Sequence, residues 1–455
     1  MFMTRIDPSI LRDKHPRFFY KKVELSFANE TLQITFTFHL ENGPVFKPTL
    51  SFPKVSAEHF SSLDQNLIQE WAFQIGLVEM LSYWKTAATP EIIIEAGYLS
   101  EAQKPFWLNL LHKGLSEYFF VNKIDGWAEG FVKLMINHEQ VKHAFEVASV
   151  AESVLLPVGG GKDSVVSLEL AKKLAIPVKT FTLNLNKQVE SVLETSGFTQ
   201  NIEVIRKIDP QLSELNGAGY LNGHTPFSAL LGFISTLAAL LHGIKYVALS
   251  NEWSANEGNT SFLGQTINHQ YSKTFEFELL FKEYLDTYLT PEIVYFSWLR
   301  PLHELQIAKK FSNHPAYFST FLSCNRGQKT GRWCGECPKC LFVYILLSAF
   351  LNQVEVNKIW GEDLLSKESL LPILNELTGE VEVKSLECVG TRQESIFALA
   401  LALQRNPDKK QSGLWKVAEE IVGDVDQVAA DSREFLRGYE NESLLPEEFR
   451  VILRN

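Results

Sequence analysis

Val154-Leu155-Leu156-Pro157-Val158-Gly159-Gly160-Gly161-Lys162-Asp163-Ser164 is an apolar run closed by three glycines and a Lys-Asp-Ser ending. Such a run bounded by glycine predicts a buried strand, and the helical spacing that continues to Leu174 predicts a helix directly after it. A glycine turn between strand and helix is a phosphate cradle. Without Cβ atoms its N–H groups approach an oxyanion closely, and the helix N-terminus adds partial positive charge. The expected guest is a nucleotide. The alternative is an ordinary glycine-rich turn, and both the placement and the Asp-Ser ending count against it.

A Walker A loop would place its hydroxyl residue directly after the lysine, where it holds magnesium. Here Asp163 intervenes between Lys162 and Ser164. The pattern resembles instead the pyrophosphatase (PP) loop, S-G-G-x-D-S, of enzymes that cleave ATP between its α and β phosphates and adenylate a substrate. Gly159 stands where that loop usually carries Ser, which removes one hydroxyl donor and leaves the backbone nest intact.

Outward from this loop, β and α patterns alternate: strands at 178–183 and 202–205, a long helix at 228–241 closed by His242-Gly243, and a strand at 244–250. Alternation of this kind predicts a parallel sheet, with ligands beyond the carboxyl ends of its strands. Both the glycine loop and the segment beginning at Asn251 fall at such ends. Before position 148 the pattern is different. Alternating Val23-Leu25-Phe27, Ile34-Phe36-Phe38 and Leu50-Phe52, with an Asn42-Gly43-Pro44 turn, predict a β-meander followed by amphipathic helices near 67–84 and 106–119. Trp71, Trp84 and Trp107 read as core residues. Beyond an apolar helix at 341–351 the remainder is mostly helical.

Forty-three basic against fifty-four acidic residues oppose the broad phosphate-neutralising surface of a nucleic-acid binder. A small anionic substrate needs only a local basic patch, for which Arg300, Lys309, Lys310, Arg326, Lys329 and Arg332 are candidates. No apolar stretch approaches a membrane span and no secretory signal is apparent, so the cytoplasm is the expected compartment.

Cys324, Cys334, Cys337 and Cys340 form C-x9-C-x2-C-x2-C. Four reduced thiols so spaced can close a tetrahedral zinc site with no position left for water, which makes the site structural. An iron–sulfur cluster and a redox dithiol at Cys334/Cys337 are the rivals. The second candidate segment, 250–259, is polar, with Asn251 and the carboxylates of Glu252 and Glu257. It is followed by a polar, aromatic-interleaved stretch, 269–278.

The loop 157–164, the segments 250–259 and 269–278, the cysteine cluster and Glu387-Cys388-Val389-Gly390 together resemble the UDP-N-acetylmuramoyl-L-alanyl-L-glutamate epimerase family of bacterial peptidoglycan synthesis, over nearly the full chain. The resemblance implies an isomerase. With ATP and magnesium it inverts the terminal L-Glu of UDP-MurNAc-L-Ala-L-Glu to D-Glu through an adenylated carboxylate, releasing AMP and diphosphate, in a pathway serving cell wall, cell shape and division. It implies an α/β fold: an N-terminal α+β domain (1–148) that receives substrate, a parallel-sheet, adenine-nucleotide alpha-hydrolase-like (PP-loop) domain with the four-cysteine metal knuckle (149–357), and a mostly helical C-terminal region (358–455). Gly159, Gly160, Gly161 and Ser164 then hold ATP phosphates, Lys162 neutralises them and Asp163 helps bind magnesium, with Asn251 beside them. The acid/base candidates are Cys388, Glu252, Glu257, His269 and Lys273. Against catalysis, Cys388 reads as a buried small hydrophobe and His269 as a satisfied surface or core histidine.

Rival functions share the loop and the cysteines. One is a different PP-loop adenylating enzyme, like 7-cyano-7-deazaguanine synthase or a tRNA sulfur transferase. The other is a non-catalytic ATP sensor. The acidic balance disfavours a tRNA substrate, and the intact Lys162-Asp163-Ser164 disfavours a dead site.

Overall fold

A computed structural model describes residues 5–138, 145, 149–409 and 412–454. Thirteen strands occur among these residues: β1 Arg17–Ala28, β2 Thr31–Leu40, β3 Val45–Phe46, β4 Thr49–Phe52, β5 Glu91–Ile94, β6 Lys133–Ile136, β7 Ala151–Pro157, β8 Val178–Leu183, β9 Asn201–Lys207, β10 Ile244–Leu249, β11 Thr260–Phe262, β12 Gln265–Ile267 and β13 Val294–Ser297. All but β11 and β12, which form a separate hairpin, belong to one sheet in the order β13-β10-β7-β8-β9-β4-β2-β1-β5-β6, with β3 on β2.

The sequence pattern explains the sheet. From β7 onward the strands are joined through helices, including Lys162–Ala171, Lys187–Ser196, Phe227–Leu241 and Phe275–Tyr288, and they pair in parallel, as crossover connections require. The buried runs of β7 and β10, at the middle of this part of the sheet, follow from coverage of both faces. In β7, Leu155 points into one core while Val154 and Leu156 point into the other. In β10, Val247 and Leu249 alternate with Tyr246 and Ala248 in the same way.

The expected meander is present as antiparallel β1, β2 and β4, with Val23 opposite Phe36 and Ile34 opposite Leu50. It does not end there, because β4 pairs antiparallel with β9, Ser51 opposite Ile205, so the sheet continues into the parallel strands. The division expected at 148/149 adjoins residues 146–148, which lie outside the described residues. Trp71 and Trp84 are fully buried and Trp107 nearly so, as core residues should be. No described helix is long and apolar enough to cross a membrane.

Strand order decides where a ligand can sit. The sheet grows from β7 in both directions, to β8 on one side and β10 on the other, so the connections leaving β7 and β10 diverge and open a crevice at their carboxyl ends. The glycine loop follows β7, and Asn251-Glu252 follow β10.

The first core is tight where the helix Gln65–Glu79 crosses β1 and β2. A Cβ at Gly76 would lie 1.9 Å from the buried Tyr20 hydroxyl and 2.9 Å from Phe36 Cδ1. Gly76→Ala should therefore destabilise the protein by about 1–3 kcal/mol through overpacking, read as a lowered denaturation midpoint with unchanged metal content.

Candidate active site

The loop after β7 has the geometry its glycines permit. Gly160 has φ +81°, a left-handed conformation, and its carbonyl accepts from Leu322 N–H at 2.9 Å. A Cβ at Gly161 would stand 2.7 Å from Ser323 Oγ. That hydroxyl is buried and finds no hydrogen-bond partner among the described residues. Gly159 N–H donates to Ser164 Oγ at 3.0 Å, which closes the turn. Gly161 caps the helix Lys162–Ala171, whose N-terminus faces a crevice of about 620 Å³ lined by Gly159, Gly161, Asp163, Ser164, Ser323 and Asn325 among others. Aliphatic and aromatic groups, Phe181, Leu183, Phe227 and Leu231, form another part of its wall. A nest at a helix N-terminus, an uncommitted buried hydroxyl and an apolar wall fit a nucleoside phosphate.

Charged groups surround the loop. Lys162 is fully buried, and its Nζ contacts both Asp163 and Glu304. Burial opposes its charge, but the two carboxylates outweigh burial and hold the ammonium. Burial likewise drives Glu304 upward, against the pull of Lys162 and of Lys339, whose Nζ lies 3.9 Å away. Lys273, Lys339, Asp163 and Glu252 all line the crevice. Lys162 is thus engaged by protein carboxylates, and Lys273 and Lys339 are the cations that face the opening.

Arg300 belongs to the architecture of this site rather than to a surface patch, which corrects the sequence reading. Its guanidinium is fully buried, paired with Glu278 at 2.7 Å and donating to the carbonyls of Glu252 at 2.5 Å and Lys273 at 2.6 Å. Burial of a charge this size requires a carboxylate partner and hydrogen-bonded donors. Arg326, Lys329 and Arg332 are exposed.

Cys388 lines the same crevice, half-buried and free of any disulfide. Burial raises its pKa, yet Lys273 and a hydrogen bond and charge from His269 bring it down to about 6, so a thiolate prevails at neutral pH. Burial lowers the His269 pKa, but hydrogen bonds to Cys388 and Glu117 raise it to about 10. His269 Nδ1 is in direct contact with a Glu117 carboxylate oxygen. The His224 ring leans on His269 with centroids 4.2 Å apart, and burial next to His269 lowers its own pKa to about 2, so it is neutral. The result is a thiolate–imidazolium pair flanked by a carboxylate, a pattern suited to moving a proton.

Asparagine contacts hold this pair in place. Asn259 Oδ1 accepts from His269 N–H at 2.8 Å, and its Nδ2 donates to Ser385 C=O at 2.6 Å, so one side chain fixes both partner segments. Gln270 Nε2 donates to Val389 C=O at 3.0 Å, and Lys339 Nζ contacts Cys388 C=O. Asn251 lines the crevice and donates to Ser297 Oγ at 3.0 Å. Glu257 is not among the lining residues. Its carboxylate accepts from Lys384 Nζ at 2.9 Å and Arg392 N–H at 3.2 Å, which fastens the C-terminal segment. Glu117, His224, Glu304, Ser323 and Lys339 were not singled out from sequence. Of these only Lys339, a charge set between two knuckle cysteines, carried a readable signal.

Cys324, Cys334, Cys337 and Cys340 converge, with Sγ–Sγ separations of 3.7, 3.6 and 3.5 Å for the pairs 324/337, 334/340 and 337/340. Zn–S bonds of about 2.3 Å place tetrahedral sulfurs about 3.8 Å apart, so the cluster can hold a metal ion and is compatible with zinc. Gly327 N–H donates to Cys324 Sγ at 3.2 Å, an outer-sphere contact typical of thiolate sites. Ser323 and Lys339 are chain neighbours of Cys324 and Cys340, so the knuckle sets the position of two crevice residues.

Residues 11–298 match the family model of the MurL N-terminal domain, and residues 320–433 match that of the MurL C-terminal domain. Curated relatives named UDP-N-acetyl-alpha-D-muramoyl-L-alanyl-L-glutamate epimerase include one from Salinispora tropica, 35% identical over 78% of this chain and 76% of its own length. One from Micromonospora sp. is 36% identical over 73% and 74%. One from Xanthomonas oryzae pv. oryzae is 28% identical over 91% and 92%.

Elemental analysis of the purified protein should find one equivalent of zinc. Cys337→Ser should lose that metal and lower the denaturation midpoint, read by elemental analysis and thermal unfolding.

Proposed function

The chain belongs to the MurL family, and from that membership and the crevice we propose that it is an ATP-dependent epimerase. It inverts the terminal L-Glu of UDP-MurNAc-L-Ala-L-Glu to D-Glu by way of an adenylated carboxylate, releasing AMP and diphosphate, in peptidoglycan precursor synthesis. One observation carries this reading: the glycine nest at the helix N-terminus and the side chains of Cys388 and His269 open into the same crevice.

The chemistry explains why both halves are needed. The α-proton of a glutamate with an ionised carboxylate is very weakly acidic, because its removal places a second negative charge beside the first. ATP supplies the adenylyl group that neutralises this carboxylate as a mixed anhydride. The backbone of Gly159 and Gly161 and the helix N-terminus behind them would hold the phosphates, and Asp163 and Glu252 would offer carboxylates to magnesium. Lys273 and Lys339 are charged donors for the oxygen on which enolate charge develops.

Cys388 then takes the α-proton as thiolate, and His269 and Lys273 balance the charge it carries before and after transfer. Inversion requires that a proton return to the other face of the carbon, from Lys273 or solvent, after which water cleaves the mixed anhydride, restoring the carboxylate and releasing AMP. The four-cysteine knuckle is structural in this account, with zinc as its ion.

Incubation with ATP, magnesium and UDP-MurNAc-L-Ala-L-Glu in deuterium oxide should yield α-deuterated D-Glu and stoichiometric AMP. Absence of AMP would sink the adenylation step, and AMP without inversion would sink the substrate assignment. Asp163→Ala should abolish AMP release. Cys388→Ser should retain adenylation, read by pyrophosphate exchange, and slow inversion by about 100-fold or more.

The acid side of the pH profile follows from the lowered Cys388 pKa. Inversion should rise with pH through about 6 as the thiol ionises, and fall as pH passes about 10 and His269 loses its proton. A kcat/KM profile without an acid limb near 6 would exclude Cys388 as the base.

A further inference from the structure

The geometry points to Glu117 as a positioning residue of the proton-transfer centre: its carboxylate grips Nδ1 of His269, whose ring lines the same crevice as Cys388. This rests on the reading of Cys388 as the group that moves the proton. Glu117 is the second residue of the helix Ser116–Asn122, about 150 positions before His269 and 270 before Cys388, so only folding brings the three together. Both side chains are largely shielded, 13% exposed for Glu117 and 12% for His269.

A carboxylate against Nδ1 does two things for an imidazole. It fixes the ring orientation and tautomer, and it favours the protonated ring, which then donates to the thiolate. The backbone of His269 is held separately by Asn259, so the ring torsion is the freedom left for Glu117 to remove. The remaining groups around the triad are compatible with this role. Lys273 and Lys339 face Cys388, neutral His224 rests on the His269 ring, and the Lys85 ammonium lies beyond Glu117, its Nζ donating to Gly223 C=O at 2.5 Å.

Glu117, His224 and His269 also have ligand atoms within 4.8 Å of one another, a spacing that admits a metal ion. The positioning role is favoured over that alternative because His269 Nδ1 already has the Glu117 carboxylate as its partner and the same ring lines the crevice with Cys388.

The test needs neither ATP nor the muropeptide. Alkylation of Cys388 by iodoacetamide, followed by mass spectrometry of its peptide across pH in the full-length protein with its knuckle metal, should show a midpoint at about 6. Glu117→Gln should move that midpoint upward by about one unit, and Glu117→Asp should restore part of the shift. An unchanged midpoint in Glu117→Gln would overturn the inference. So would a second metal equivalent, beyond the one in the knuckle, that Glu117→Gln removes. If the Gln variant does not fold, imidazole nitrogen NMR of the wild type at about pH 8 decides: a doubly protonated His269 supports the inference and a neutral ring overturns it. A shifted midpoint in a protein that fails to epimerise would leave Glu117's role standing and reject the epimerase reading; the reverse result would do the opposite.

Discussion

A single buried guanidinium organises the crevice. Arg300 lies in the turn after β13 with no exposure, and its guanidinium donates through Nε and Nη2 to the Glu278 carboxylate, through Nη1 to the Glu252 carbonyl and through Nη2 to the Lys273 carbonyl. An unpaired charge there would cost several kcal/mol, so the protein must bring all of these acceptors to it. The two polar loops that carry Glu252 and Lys273 are thereby fixed to one point. Glu278 also accepts from Ser297 N–H at 3.0 Å, which ties the helix Phe275–Tyr288 to the strand edge. Loops that would otherwise be independent become rigid supports for charged side chains.

Around that point, charge is balanced locally. Lys162 is neutralised by Asp163 and Glu304, while Lys273 and Lys339 remain turned toward the crevice and toward Cys388. In an apolar setting a thiol would be inert. Here two ammonium groups and an imidazolium lower its pKa into the range where a thiolate dominates. In the proposed reaction the same cations would face an acyl phosphate, so one electrostatic arrangement would serve both activation of the carboxylate and removal of the neighbouring proton.

The centre also joins the two parts of the chain that the MurL family models match separately. Glu117 and His269 lie in the first, Cys388 and the metal knuckle in the second. Asn259 bonds to both sides, and Lys339 connects the knuckle to the Cys388 carbonyl. Gly390 has its own packing reason: a Cβ there would come within 2.7 Å of Phe342 and 3.0 Å of Glu304 Cβ. The helix Arg392–Arg405 that follows is capped by Thr391 and Glu394, and Glu394 also accepts from Leu305 N–H at 2.9 Å, so capping and docking are one interaction.

What the sequence determined was local. Period-two alternation set the meander and continuous apolar runs set the buried parallel strands. Gly159-Gly160-Gly161 before a helix marked the nest, and the C-x9-C-x2-C-x2-C spacing marked a metal knuckle, because each signal depends on residues near one another in the chain. The candidates Cys388, His269, Lys273, Glu252 and Asn251 were legible as polar or reactive residues in loops, and all of them line one crevice. Tertiary structure decided the rest. It took Arg300 into the interior, turned Glu257 toward Lys384 and Arg392, and set Glu304 on Lys162. It joined the meander to the parallel strands through β4 and β9. It also brought Glu117 from an ordinary amphipathic helix onto His269. The physical reason is that a charge is defined by its surroundings: whether a carboxylate binds a cation, orients an imidazole or fastens a loop depends on which groups share its burial, and those come from distant parts of the chain.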